Sequence, residues 1–134
     1  MKYFVGTDII EVSRVKEAIN RTASFKENVY TKNEIAIGNN KSEITVYEYY
    51  AGRFAAKEAI YKAISCIDNT VTLNEIEILN DINNKNRPFV DFLKPSLHEM
   101  VTNNKITIDV SISHIKDFAT ANAVCYIADT NKLC

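Results

Sequence analysis

The sequence predicts an α+β fold: an antiparallel sheet packed with a long central helix and several shorter helices. Three observations lead there. A run over about residues 45–65 carries apolar residues at helical spacing. Stretches with strand character lie at both ends of the chain and again at about 73–93. Those strands come in blocks joined by turns, not one after each helix, which argues against a doubly wound sheet.

Each element has its own justification. Residues 2–8 read as a strand, with Phe4, Gly6, Asp8 and Ile10 sharing one face. A helix is expected over about 11–22, with Val12, Val15 and Ile19 apolar and Arg14, Lys16, Glu17 and Arg21 exposed. Thr31-x-x-Glu34 is a capping box that opens a short helix to about Gly38. The central helix follows. Leu73 to Leu79 alternates as a strand, 81–87 is a turn, and Pro88 to Leu93 returns. Pro95 or Ser96 opens a helix to about Asn103, and strands at about 106–112 and 118–127 close the sequence. The Asn pairs at 39–40, 83–84 and 103–104 mark turns.

A chain of 134 residues is one domain by size and can bury ~65–70% of its unfolded surface. A net charge of −1 gives no global cationic field for nucleic acid or membrane. No apolar run reaches the ~20 residues a membrane helix needs, and the start lacks a signal-peptide core. Cys66, Cys125 and Cys134 show no metal-ligand spacing; an odd count without a framework points to reduced thiols and a cytoplasmic setting.

The most informative stretch is Arg53 to Ala63. Phe54, Ala56, Ala59, Ile60 and Ala63 are its apolar content. Arg53, Lys57 and Tyr61 step by four, with Glu58 and Lys62 beside them. One carboxylate among three cations suits a metal ion together with a phosphate-bearing ligand. The bland alternative is a solvated face with a Glu58–Lys62 ion pair worth ~0.2–0.5 kcal/mol. At the N-terminus, a carboxylate at Asp8 between apolar neighbours needs a cation or a partner; alternatively Asp8-x-x-Glu11 caps a helix. Near the other end, an alternating strand delivers Ser113 and His114. A lone histidine there is equally compatible with a structural hydrogen bond.

Taken together, Gly6-Thr7-Asp8-Ile9, Gly52-Arg53-Phe54-Ala55-Ala56-Lys57-Glu58-Ala59 with Lys62-Ala63, and Ser111-Ile112-Ser113-His114 resemble the holo-[acyl-carrier-protein] synthases. These are the small bacterial 4'-phosphopantetheinyl transferases. The likeness runs over nearly the whole chain, including Asn28-Val29-Tyr30-Thr31 and Ile76-Glu77-Ile78-Leu79-Asn80-Asp81.

The resemblance implies a 4'-phosphopantetheinyl transferase-like fold and a reaction of fatty acid biosynthesis. The phosphopantetheine arm of coenzyme A moves to a serine of apo acyl carrier protein, leaving 3',5'-ADP. It implies Mg²⁺ held by Asp8 and Glu58, two carboxylates being a usual number for that ion. Glu58, or water on the metal, accepts the serine proton. Lys62 stabilises diphosphate charge. Arg53, Lys57, Lys62, Ser113 and His114 are the coenzyme A-binding candidates, and Tyr61 reads as core. Arg14 and Arg21, on one helix face with Phe25 following, suit an acidic carrier protein with an apolar anchor. A homotrimer with sites between subunits is also implied.

Two departures stand out. Ser65 and Ile67 occupy places where the family has glycines near the nucleotide, so the loop takes another path or sits elsewhere. Ile115 stands where threonine is common. The altered loop at Ser65–Ile67 motivates a rival reading, a coenzyme A- or nucleotide-binding module with weak or lost catalysis; a third reading is a purely structural α+β oligomer with a charged helix face.

Overall fold

The computed structural model describes residues 2–128. Strand β1 (Lys2–Glu11) leads into helices α1 (Val12–Arg21), α2 (Phe25–Val29), α3 (Lys32–Asn39) and α4 (Val46–Ile64). A single 3-10 turn (Leu73–Glu75) precedes β2 (Ile76–Asp81) and β3 (Arg87–Phe92). Helix α5 (Pro95–Thr102) and strands β4 (Ile106–His114) and β5 (Phe118–Ile127) follow. The strands form two antiparallel sheets: three strands in the order β1-β5-β4, and the β2-β3 hairpin.

Helix α4 lies across the inner face of the larger sheet. That face alternates as the pleat requires: Ala119, Ala121, Ala123, Cys125 and Ile127 from β5 are buried, with Ile106 and Val110 from β4. α4 answers with Ala55, Ala56, Ala59 and Ala63, all at most 1% exposed, and with Ile60 and Ile64. Small residues let the helix sit close to the sheet. Each fully buried isoleucine contributes about 1.5–3 kcal/mol. Gly6 marks the tightest approach, because a Cβ there would lie 1.8 Å from the Ala59 carbonyl oxygen.

The Thr31 capping box forms as expected: Glu34 N donates to Thr31 Oγ1 (3.3 Å) and Thr31 N to Glu34 Oε1 (2.8 Å). Other expectations need correction. β1 runs to Glu11 rather than ending near Asp8, and Glu11 precedes α1 without a side-chain cap. Asp8 therefore sits mid-strand opposite Ala121 and is no helix cap. The α1 start is tied instead by Val12 N to the Asp117 carbonyl, 2.9 Å. Residues 73–75 are a 3-10 turn stabilised by a Thr72–Glu75 box, so β2 starts later than the alternation suggests. Helix α2 was not anticipated; five residues are too few to show a period. The inferred reduced thiols hold for Cys125, a buried free cysteine, but not for Cys66, which is disulfide-bonded. Cys134 lies outside the described residues.

Candidate functional site

The charged residues of α4 do not share one surface. Arg53 and Lys57 face inward, toward α3 and β2, whereas Glu58 and Lys62 face β1.

On the inward flank, Lys57 is 0% exposed. Its ammonium donates to Glu34 Oε1 (2.6 Å), to the Leu73 carbonyl (3.0 Å) and to the Ile76 carbonyl. Glu34, also 0% exposed, additionally accepts from Thr31 N and from Ile78 N (2.9 Å). Burial pushes the Lys57 pKa down, and the Glu34 carboxylate opposes that shift. This corrects both sequence readings of Lys57: it is neither a phosphate ligand nor a solvated charge. Arg53 is 8% exposed, packs over the Tyr49 ring and donates through Nη2 to Asn80 Oδ1. Its buried Nε finds no partner among the described residues.

On the other flank, Lys62 Nζ donates to the Thr7 carbonyl (2.8 Å) and lies 3.4 Å from Asp8 Oδ1. Asp8 arrives on the helix-facing side of β1, two residues beyond the Gly6 contact. The Glu58 carboxyl is held above its ordinary range, first by burial and then by the Asp8 charge, with Lys62 pulling the other way. Two carboxylates near enough for the Asp8 charge to act on Glu58 are a natural seat for a divalent cation. Mg²⁺ takes one or two protein carboxylates and fills its other positions with water and phosphate, so the donor set fits it. No group of three or more potential ligands occurs among the described residues.

A cleft of about 390 Å³ is lined by Asp8 and Glu58 together with Arg14, Phe25, Phe54 and Val15. It joins the carboxylates to two of the expected docking residues. Phe25 also stacks on Phe54, ring centroids 6.3 Å apart. Arg21 is exposed, pairs with Glu17 (3.1 Å) and does not line this cleft.

Ser113 and His114 lie elsewhere. β5 separates β4 from β1, so they stand two strands away from Asp8, about 10 Å across the sheet. They point to opposite faces, and His114 Nδ1 lies 3.3 Å from Glu48 Oε2. One chain thus gathers Asp8, Glu58 and Lys62 but not Arg53, Lys57, Ser113 or His114. Lys62 also borders a second cleft of about 710 Å³ on the outer sheet side, with Thr7, Ser111, Asn122, Arg87 and Asp109. Sequence reasoning missed Arg87 and Asp109, which form an ion pair there; only the hairpin places them side by side.

The segment after α4 takes its own path. Ser65 is the helix C-cap in ordinary right-handed backbone, and its hydroxyl donates to the Lys62 carbonyl at 3.0 Å. Among the described residues only Lys85, Asn86 and Asn104 have positive φ, so nothing at 65–67 requires glycine. Asp68 pins the segment by pairing with Lys94 (2.6 Å) and accepting from Thr70; these bonds pull its carboxyl down to about 2. Tyr61 packs against the core, as expected, and donates to the Asn69 carbonyl. Ile115 is exposed.

Fold and cluster together define a class: a small α+β protein with a carboxylate pair on a cleft and a lysine beside it. Comparison with known proteins makes this specific. Residues 4–123 match the family model of the 4'-phosphopantetheinyl transferase superfamily. The holo-[acyl-carrier-protein] synthase of Ruminiclostridium cellulolyticum is 39% identical, over 98% of each chain. The Bacillus anthracis holo-(acyl-carrier-protein) synthase, solved in complex with CoA (3',5'-ADP), superimposes with a TM-score of 0.74 at 32% identity. It covers 91% of this chain and 94% of its own. The Chronobacterium ammoniagenes ACPS–CoA complex gives a TM-score of 0.79 at 27% identity, covering 96% and 100%. The chain belongs to the 4'-phosphopantetheinyl transferase superfamily and, within it, to the holo-[acyl-carrier-protein] synthases.

Proposed function

We infer that this protein is a transferase that moves the 4'-phosphopantetheine arm of coenzyme A onto a serine of apo acyl carrier protein, for fatty acid biosynthesis. The observation that carries the reading is the Asp8–Glu58–Lys62 cluster, with both carboxylates on the cleft that also holds Arg14 and Phe25.

Asp8 and Glu58 would hold Mg²⁺, which would supply positive charge to neutralise the diphosphate. The serine Oγ forms a bond to the β-phosphorus, and the bond from that phosphorus to the bridging oxygen breaks. The leaving group is 3',5'-ADP. Glu58, with its raised proton affinity, takes the serine proton. Lys62, already aimed at Asp8, meets the charge that grows on the departing phosphate. Arg14, Arg21 and Phe25 receive the acidic carrier protein, giving orientation and a fast encounter.

Ser113 and His114 contact coenzyme A from a neighbouring subunit of a homotrimer, whereas Arg53 is buried against Tyr49 and Asn80 of its own chain. The distance of Ser113 and His114 from Asp8 within one chain supports a site shared between copies. So does the outer sheet face, where Tyr3, Val5 and Ile9 are 63%, 78% and 68% exposed. The transferase domain spans residues 1–134, and its setting is the cytoplasm; no helix among the described residues is long and apolar enough to cross a membrane. The rival reading, a coenzyme A-binding module without catalysis, is not favoured because Asp8, Glu58 and Lys62 are all in place.

The test is to mix the protein with Mg²⁺, coenzyme A and apo acyl carrier protein, then weigh the carrier by mass spectrometry. The expected result is a carrier heavier by one phosphopantetheine, with no gain when EDTA replaces Mg²⁺. Coenzyme A binding with an unmodified carrier would restore the module; neither binding nor transfer would leave a structural protein.

A further inference from the structure

The cluster has a mechanical support on the opposite side of the same contact. A Cβ built on Gly6 lies 1.8 Å from the Ala59 carbonyl oxygen, 2.8 Å from the Ala59 carbonyl carbon and 3.1 Å from the Ala63 nitrogen. All three are backbone atoms, so no side-chain rotation relieves the clash. Ala59 directly follows Glu58, and Ala63 directly follows Lys62. Asp8 lies on the same strand face as Gly6, about 7 Å further along. The Thr7 carbonyl between them accepts from Lys62 at 2.8 Å. The residues that set the approach of β1 to α4 therefore interleave with the residues of the site.

We propose that Gly6 is a positioning residue: its bare Cα fixes the strand–helix separation at which Asp8 and Glu58 serve one small divalent cation. This rests on the reading of Asp8 and Glu58 as the metal-holding pair. Any side chain at position 6 pushes β1 and α4 apart and widens the gap between the two carboxylates. Mg²⁺ demands oxygens at 2.0–2.1 Å in near-octahedral order, whereas Ca²⁺ accepts 2.3–2.6 Å and flexible geometry. A widened gap therefore penalises Mg²⁺ more than Ca²⁺.

The experiment is calorimetric titration of Mg²⁺, and separately Ca²⁺, into the coenzyme A-saturated protein and its Gly6→Ala variant, with a melting curve on each sample. The expected result is a loss of Mg²⁺ affinity of about 10–100-fold, the range seen when support of metal ligands is removed, with a smaller loss for Ca²⁺. General destabilisation does not change that ratio; Phe4→Leu, a core change on the same strand face, provides the comparison and should keep it. If Gly6→Ala does not fold in plain buffer, the same titrations in a stabilising osmolyte such as TMAO, which favours the compact state, carry the same expectation. An unchanged Mg²⁺-to-Ca²⁺ ratio in the folded variant overturns the role of Gly6 alone. Cation uptake that is equal in wild type and in Asp8→Asn overturns the metal reading and the inference together.

Discussion

Helix α4 carries two lysine–carboxylate pairs that differ in almost every respect but chemistry. Lys57 and Glu34 are 2.6 Å apart with side chains 0% exposed. Lys62 and Asp8 are 3.4 Å apart with side chains 51% and 19% exposed. In the first pair the lysine's three donors meet Glu34, Leu73 and Ile76, and the carboxylate also takes two backbone N–H groups. Nothing is left over for a substrate. In the second pair the contact is loose, a further carboxylate stands beside it, and both acidic groups line an open cleft. Saturation distinguishes them: a charge whose bonding capacity is used up holds the fold together, and a charge with spare capacity can act on a ligand.

Lys57→Met makes the largest break in this contrast. It leaves Glu34 buried without its counter-charge, and removing one partner of a buried pair costs about 3–5 kcal/mol. Urea unfolding at fixed pH should show that loss, while transfer activity per folded molecule stays near the parent's. Replacing Glu34 by Leu in the same background should recover part of the stability, because two apolar groups need no counter-charge. A loss under about 1 kcal/mol would mean that the Lys57–Glu34 pair is no tighter than a surface pair.

Lys62→Met is the reciprocal test. An exposed pair of this kind contributes only about 0–1 kcal/mol to stability. A donor aimed at developing phosphate charge is a different matter; its loss should lower kcat by ~10²–10³. Coenzyme A binding should fall much less, since the interaction strengthens as charge develops. Steady-state kinetics and a melting curve on one sample read both quantities. A kcat drop of less than about tenfold, roughly 1.4 kcal/mol, would return Lys62 to the ordinary surface.

That contrast also explains what could be read in advance. The ends of α4 were legible to within a residue, since its Ala-rich periodic run leaves little choice of register. Asp8, Glu58 and Lys62 were legible as a set from their motifs, and the Thr31–Glu34 box from its spacing. The inward turn of Lys57 was not. The Arg53–Lys57–Tyr61 stripe follows helical steps whether it faces water or core. α4 is apolar around much of its circumference, so periodicity does not say which side is covered. Glu34 hid its second role inside its first: the capping-box glutamate that accepts from Thr31 N also accepts from Lys57. The split into two sheets was likewise hidden, because strand pairing between distant segments leaves no local mark.

The smallest expected effect concerns the pH dependence of stability, and it probes the action of the Asp8 charge on Glu58. Burial raises the Glu58 pKa above its ordinary 4.5, the Asp8 charge raises it further, and Lys62 opposes both. A carboxyl whose folded pKa is raised binds its proton more tightly in the native state. The stability from that proton is fully present below the unfolded pKa and is lost as pH rises through the folded one. In EDTA, wild-type protein should therefore lose stability across a window that opens near pH 4.5 and extends upward. Glu58→Gln, which has no proton to release, should lack this loss. Asp8→Asn should narrow the window by removing one cause of the shift, and added Mg²⁺ should oppose the decline by favouring the ionised pair. Urea unfolding at a series of pH values on the three proteins reads the difference. Partial exposure of Glu58 keeps it small, through solvent screening. Parallel profiles for wild type and Asp8→Asn would mean that Glu58 and Asp8 do not feel one another. The two carboxylates would then be independent surface groups rather than one site.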